Sequence, residues 1–164
     1  MIVYHGGLTE VRNPEIRRGG YVGDFGVGFY VTSSHEQATR FVRLKGGRED
    51  KTSGVVSVFE LDERLFTGDF KGLTFDTPTR EWAQFVSANR KRPSFSHDYD
   101  YVRGPVANDQ VYTAFSLYEG GILTFEMLIE QLKMRRLFDQ ILFHTPAALG
   151  CLKFVRSEAV TWRK

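Results

Sequence analysis

Strand-like and helix-like stretches are interspersed along this chain, but never in the strict alternation that a doubly wound parallel sheet requires. That irregular order is the tightest constraint on its fold. Ile2, Val3 and Tyr4 form a short strand-like run that ends at His5-Gly6-Gly7. A polar, turn-rich stretch with Pro14, Gly19 and Gly20 follows, and then Asp24-Phe25-Gly26-Val27-Gly28-Phe29-Tyr30-Val31-Thr32. The second half of that segment is aromatic and β-branched, as strands prefer. Its leading glycines mark a place where the backbone bends or is closely approached. Ser34 with Gln37 reads as a capping box opening a helix with Ala38, Phe41 and Val42 on one face, ended by Gly46-Gly47. Residues 55–61 read as a buried strand.

Thr77 caps a second predicted helix with Pro78 at its first position and Trp82, Phe85, Val86 and Asn89 on one face. Residues 99–106 are strand-like, interrupted by Gly104-Pro105. Asn108 caps a helix carrying Val111, Phe115 and Tyr118, which Gly120-Gly121 stops. Thr124 caps another, with Phe125, Leu128, Ile129 and Leu132 at helical spacing and a basic end at Lys133, Arg135 and Arg136. Residues 140–145 are strand-like, Thr145-Pro146 opens a helical turn, and residues 155–162 form a last strand. The expected fold is α+β: one curved mixed sheet, a split β-sandwich, with helices packed around it.

At 164 residues the chain suits one domain, residues 1–164. Its apolar runs fall far short of the roughly 20 residues that span a bilayer, and no membrane partner is expected. The first residues lack the basic flank and long apolar stretch of a signal peptide. A single cysteine, Cys151, fits a reducing compartment, so the expected location is the cytoplasm. Cys151 lies beside Leu149 and Leu152 and reads as core packing. With 22 basic and 20 acidic residues, net charge makes no global case for nucleic acid. Local basic clusters, at residues 40–51, 90–92 and 133–136, read first as solvated helix ends and loops.

None of His5, His35, His97 and His144 pairs with another ligand at zinc spacing, so no metal is expected. Gly26-Val27-Gly28 precedes a strand, whereas the dinucleotide fingerprint follows one and opens a helix. There is no phosphate-loop lysine motif and no serine-nucleophile elbow.

Three segments remain: Tyr4-His5-Gly6, Gly26 to Thr32, and Asp139-Gln140-Ile141-Leu142-Phe143. Taken singly, a histidine after a strand is an ordinary hydrogen-bonding residue and a tyrosine in an aromatic strand is core. Together and in this order they resemble the ADP-ribosyltransferase superfamily, in the histidine–tyrosine–glutamate group of diphtheria toxin and the poly(ADP-ribose) polymerases. The likeness is closer to a bacterial branch that also carries a Gly-Pro-Val-Ala-Asn-Asp segment, here residues 104–109, and a Gln-Ile-x-Phe-His-Thr strand, here residues 140–145. It spans almost the whole chain. The resemblance implies NAD as co-substrate. It assigns His5 a hydrogen bond to the adenosine ribose, Gly6 backbone contacts to the nicotinamide amide, and Tyr30 a stack on the nicotinamide ring. Asp24, Phe25 and Thr32 would line the same cleft. Breaking the bond between nicotinamide and ribose creates an oxocarbenium-like centre, so a site must hold the leaving group, exclude water and aim an acceptor.

Gln140 stands where better-known relatives carry glutamate. An amide still accepts a ribose hydroxyl but supplies no negative charge, a loss of about 1–2 kcal/mol or roughly tenfold in rate. The expected activity is therefore transfer of single ADP-ribose units to a macromolecular acceptor, nucleic acid or protein. Asp139 should face away from Gln140, since neighbouring strand residues face opposite sides; Asp109 and Glu60 are the other carboxylates weighed as helpers. The resemblance implies a toxin or phage-defence setting with a small antitoxin-like partner. Two other readings stand beside it: a non-catalytic binder of NAD or ADP-ribose, and an NAD glycohydrolase.

Overall fold

A computed structural model describes residues 1–19, 22–107, 109–135 and 137–164, with Asp109 described by its backbone alone. The chain is α+β, with two sheets and five helices among the described residues. The first sheet is antiparallel, in the order β1 (Ile2–Gly7), β3 (Ser53–Leu61), β7 (Leu152–Thr161). The second runs β2 (Phe29–Val31), β6 (Asp139–Phe143), β5 (Tyr101–Pro105), β4 (Gly72–Thr74), antiparallel except for the parallel β4–β5 pair. β3 is central and nearly continuously buried, which its Val-Val-Ser-Val-Phe run permits; β7 alternates, as an edge strand with one wet face does.

The strands thus form two sheets, where one curved mixed sheet in a split β-sandwich was expected. The sheets meet at one bridge: Tyr4 N–H donates to Thr32 C=O at 2.8 Å, and Thr32 N–H to Tyr4 C=O at 2.9 Å. Longer pairing is cut off because the chain turns at Ser34 into α1 (His35–Arg48), where the Ser34 hydroxyl accepts the Gln37 N–H at 3.2 Å. The return bond of the expected capping box is not made, and the Ser34 N–H goes to the Thr32 hydroxyl instead. Between the sheets lies one apolar cluster, with Val3, Phe59 and Leu61 facing Phe29, Val31, Ile141 and Phe143; Cys151 is buried in it. Ala38 and Val42 of α1 cover the outer face of the first sheet at Val56 and Val58. On the outer face of the second sheet, Leu142, Val102 and Tyr30 pack with residues of α2 (Arg80–Lys91), α3 (Asp109–Glu119) and α4 (Phe125–Lys133). α5 (Pro146–Leu149) is the short turn expected after Thr145. No helix among the described residues is long and apolar enough to cross a membrane.

Several boundaries moved for identifiable reasons. The cap of α2 is Thr79, whose hydroxyl accepts the Trp82 N–H at 3.2 Å, so Thr77 and Pro78 lie outside the helix. Asn108 and Arg136 fall outside the described residues. Gly104-Pro105 does not interrupt β5, whose register with β6 continues to Pro105 opposite Asp139. Gly46-Gly47 sits inside α1, and the left-handed residue after the helix is Asp50, with φ of 56°. Gly46 is there for packing. A Cβ on it would lie 2.3 Å from the Trp162 ring, whereas one on Gly47 would meet nothing within 4 Å.

The loop over residues 23–28 is fixed by side chains from elsewhere. The Tyr30 hydroxyl accepts the Phe25 N–H at 3.1 Å and donates to Gly26 C=O at 2.6 Å. His97 donates from Nε2 to Phe25 C=O at 2.7 Å while its Nδ1 accepts the Tyr99 N–H at 3.3 Å. His144 donates from Nδ1 to Val27 C=O at 2.6 Å, and the two imidazoles lie 4.3 Å apart. Three consecutive carbonyls are thereby pinned. His97 is held as the neutral imidazole, and burial lowers its pKa from the ordinary 6.5, with His144 adding to the effect.

Two predictions follow from this packing. Gly47→Ala should raise stability by about 0.5–1 kcal/mol through helix propensity, while Gly46→Ala lowers it by about 1–3 kcal/mol through overpacking, both read by urea denaturation. Equal effects of the same sign would refute the role given to Trp162. For the loop, His97 and the likewise depressed His5 are protonated more readily unfolded than folded. Stability should be fully present above pH 6.5 and fall with pH below it, by at most about 1.4 kcal/mol per pH unit for each histidine. His97→Gln, which keeps an N–H donor without the titration, should flatten that fall in thermal melts. An unchanged acid limb in His97→Gln would contradict the pinning.

Candidate functional site

The bridge between the sheets leaves a cleft of about 1380 Å³ beside it. That is larger than the roughly 300–1,000 Å³ of an ordinary small-ligand pocket. His5, Gly6, Asp24, Tyr30, Thr32 and Gln140 all line it, so six of the seven residues singled out in the sequence converge there. Phe25 does not. Its side chain is fully buried against Phe75 and Phe85 in the helix-side core, and the expectation that it lines the cleft is corrected.

His5 is carried by β1 and stacks on Phe29, with ring centroids 4.3 Å apart. Its Nδ1–H donates to Tyr30 C=O at 2.7 Å. Burial lowers its pKa, and the Lys45 charge lowers it further, so the ring is neutral. A neutral imidazole that donates from Nδ1 presents Nε2 as an acceptor, which suits a hydroxyl. Gly6 packs against α1, where a Cβ would lie 2.4 Å from Ala38 C=O. Its lack of a side chain is thus accounted for by the helix, with or without a ligand. The Thr32 hydroxyl accepts the Ser34 N–H at 3.1 Å.

Tyr30 is half-buried, with its ring laid over Gly23, where a Cβ would come within 2.6 Å of the phenol. Because β2 pairs Tyr30 with Leu142, Gln140 lies two residues along β6 on the same face. Asp139 points the other way and accepts the N–H and hydroxyl of Ser33, as the alternation of strand side chains required. Glu60 is exposed and is not among the cleft residues; the Asp109 side chain lies outside the described residues.

The sequence did not reveal what surrounds Asp24. This carboxylate is 5% exposed. Oδ1 accepts Arg90 Nε at 3.1 Å and the Tyr112 hydroxyl at 3.0 Å, with Arg90 Nη2 at 2.9 Å. Oδ2 accepts the Ala107 N–H at 3.1 Å and Gln140 Nε2 at 3.0 Å. The Arg90 guanidinium lies over the Tyr112 ring, 3.2 Å from its centroid. Burial raises the Asp24 carboxyl above the ordinary carboxylate range, against the pull of Arg90 and the surrounding N–H donors. Every partner offers a donor, which only the ionised form can accept in full. A carboxylate accepts only, so it dictates the Gln140 flip: the NH₂ faces Asp24 and Oε1 is the atom left over. Arg90, Tyr112 and Ala107 carried no signal of their own, although residues 104–109 were flagged as a motif.

No curated protein and no solved structure gives a match to this chain. Residues 1–154, which hold every cleft residue described above, match a family described as a protein of unknown function, DUF3990. The chain belongs to the DUF3990 family.

Proposed function

We propose that the chain is an NAD-dependent mono-ADP-ribosyltransferase, and that the cleft holds the dinucleotide. The observation that carries this reading is that His5, Tyr30 and Gln140 all line one cleft, with the Gln140 amide oriented by a buried carboxylate. Neutral His5 offers Nε2 to a ribose hydroxyl. Tyr30 offers a flat apolar face to a flat ring, held in place by its hydroxyl's bonds to residues 25 and 26. Gln140 offers Oε1 to a hydroxyl of the nicotinamide-side ribose. The Asp24 charge behind the amide polarises it and returns part of the stabilisation that a glutamate would give a developing cation. In the reaction the carbon–nitrogen bond to nicotinamide breaks, its electron pair leaves with the ring, and an acceptor lone pair replaces it while the acceptor proton passes to solvent. A neutral group at position 140 activates a sugar hydroxyl poorly, which favours single-unit transfer over chain growth. We extend the proposal to a toxin or phage-defence effector checked by a small partner protein, on the resemblance alone.

Labelled NAD tests the reading. Label on a macromolecule supports transfer, free ADP-ribose means hydrolysis, and intact NAD with measurable affinity means a non-catalytic binder. His5→Ala and Tyr30→Ala should weaken NAD binding, and Gln140→Ala should depress turnover more than affinity. If all three variants match the native chain in both, the site is wrong.

Gln140→Glu is the sharper experiment. A glutamate there would face Asp24 across about the same 3.0 Å, and two carboxylates so close do not both ionise. The variant should be about 1–3 kcal/mol less stable at neutral pH, regain stability on mild acidification, and turn over no faster than the native chain. A several-fold faster, fully stable Gln140→Glu enzyme would show that Asp24 does not select the amide.

A further inference from the structure

We infer that this cleft receives a single strand of nucleic acid along α1; as the acceptor of the proposed transfer it rests on that reading, but as a binding surface it does not. One wall of the cleft is a face of α1, with Arg40, Phe41, Leu44, Lys45 and Arg48 at helical spacing. The loop opposite contributes Arg17. Of the carboxylates lining the cleft, Glu10 is paired with Arg12 and Asp24 with Arg90. That leaves Arg17, Arg40, Lys45 and Arg48 against Glu15, with no ion pair to any of the four among the described residues. A chain whose whole charge is only +2 therefore gathers unmatched cations at the mouth of its cleft.

Between those cations stand Phe41 and Leu44, 40% and 43% exposed, on a helix whose other apolar residues, Ala38 and Val42, are buried. Apolar side chains on the wet face of a helix cost solubility, and their position among cations fits a ligand with alternating anionic and flat apolar parts. An extended nucleic-acid strand has that chemistry, with phosphates for the cations and an unstacked base for Phe41. A duplex hides its base faces, and a run of acidic side chains alone offers no flat ring to the phenyl group. From Arg40 to Arg48 the helix rises about 12 Å, enough to follow a few successive phosphates into the cleft.

The test uses the full chain, a fluorescein-labelled single-stranded RNA 12-mer and its DNA counterpart, and anisotropy between 50 and 200 mM salt. The native chain should bind at least one of them, with log affinity falling by about 0.7 per log unit of salt for each phosphate contacted. Arg40→Glu/Arg48→Glu should weaken strand binding by about tenfold or more and flatten the salt slope. Phe41→Ala should weaken binding about fivefold or more while keeping the slope. No binding by the native chain, charge reversal without effect, or equal competition by poly-glutamate would each overturn the inference, the last in favour of an acidic protein acceptor. The two readings fail separately. Salt-dependent strand binding without any NAD binding or cleavage sinks the transferase and leaves the surface standing, whereas NAD cleavage with neither binding nor labelling of the strand does the reverse.

Discussion

A buried, ionised Asp24 is the constraint on which the cleft depends. Taking a carboxylate out of water costs several kcal/mol, and the cost is offset only if charge and hydrogen bonds meet it in good geometry. Here the offset comes from four parts of the chain: Arg90 of α2, Tyr112 of α3, the backbone N–H of Ala107 after β5, and Gln140 of β6. The helices on the outer face of the second sheet and the strands beneath them are thereby tied to the loop that precedes β2. Removing any one donor leaves part of a buried charge unmatched, so these elements hold their positions together or not at all.

The second constraint is the way the neighbouring loop is held. Carbonyls of residues 25, 26 and 27 point at His97, Tyr30 and His144, and the carbonyl of Tyr30 itself at His5. Donors fixed by their own packing define where each carbonyl must sit. Tyr30 has two tasks as a result, since its hydroxyl clamps the loop while its ring faces the cleft. A phenylalanine at this position would keep the ring and release the loop.

Local signals carried most of the element map, and long-range pairing carried what was missed. Ser34 and Thr124 were legible as caps because the bond from their hydroxyl to the N–H three residues on is made within a single turn. Gly46-Gly47 misled because a glycine pair ends helices often, and only Trp162, more than a hundred residues away, explains why Gly46 lies inside one. Where the two sheets meet was likewise not legible, since it rests on pairing between Tyr4 and Thr32. In the site, His5, Tyr30 and Gln140 stood out through a resemblance in their order. Arg90, Tyr112 and His97 did not, because an arginine in a basic helix end or a histidine in a loop looks the same whether or not a buried acceptor waits for it. Phe25 was misjudged for a related reason: adjacency to Asp24 says nothing about which of two successive side chains enters the core.

The arrangement of charge then explains why an amide, not an acid, stands on β6. The floor of the cleft is polar but uncharged toward its interior, with a neutral imidazole at His5, a phenol at Tyr30 and a carboxamide at Gln140, while Asp24 is already matched by Arg90. The charges without an ion pair among the described residues, Arg17, Arg40, Lys45 and Arg48 against Glu15, are exposed side chains of its lining. Cations at the rim suit the anionic ligand proposed for this cleft, and a floor without free carboxylates would not repel its phosphates. A glutamate at position 140 would break this order by opposing Asp24 at hydrogen-bond distance, where the two carboxyls could not both ionise. Asp24 behind a neutral amide delivers some of the same field to the cleft while its charge stays paired, and that is a physical reason for the two residues to occur together.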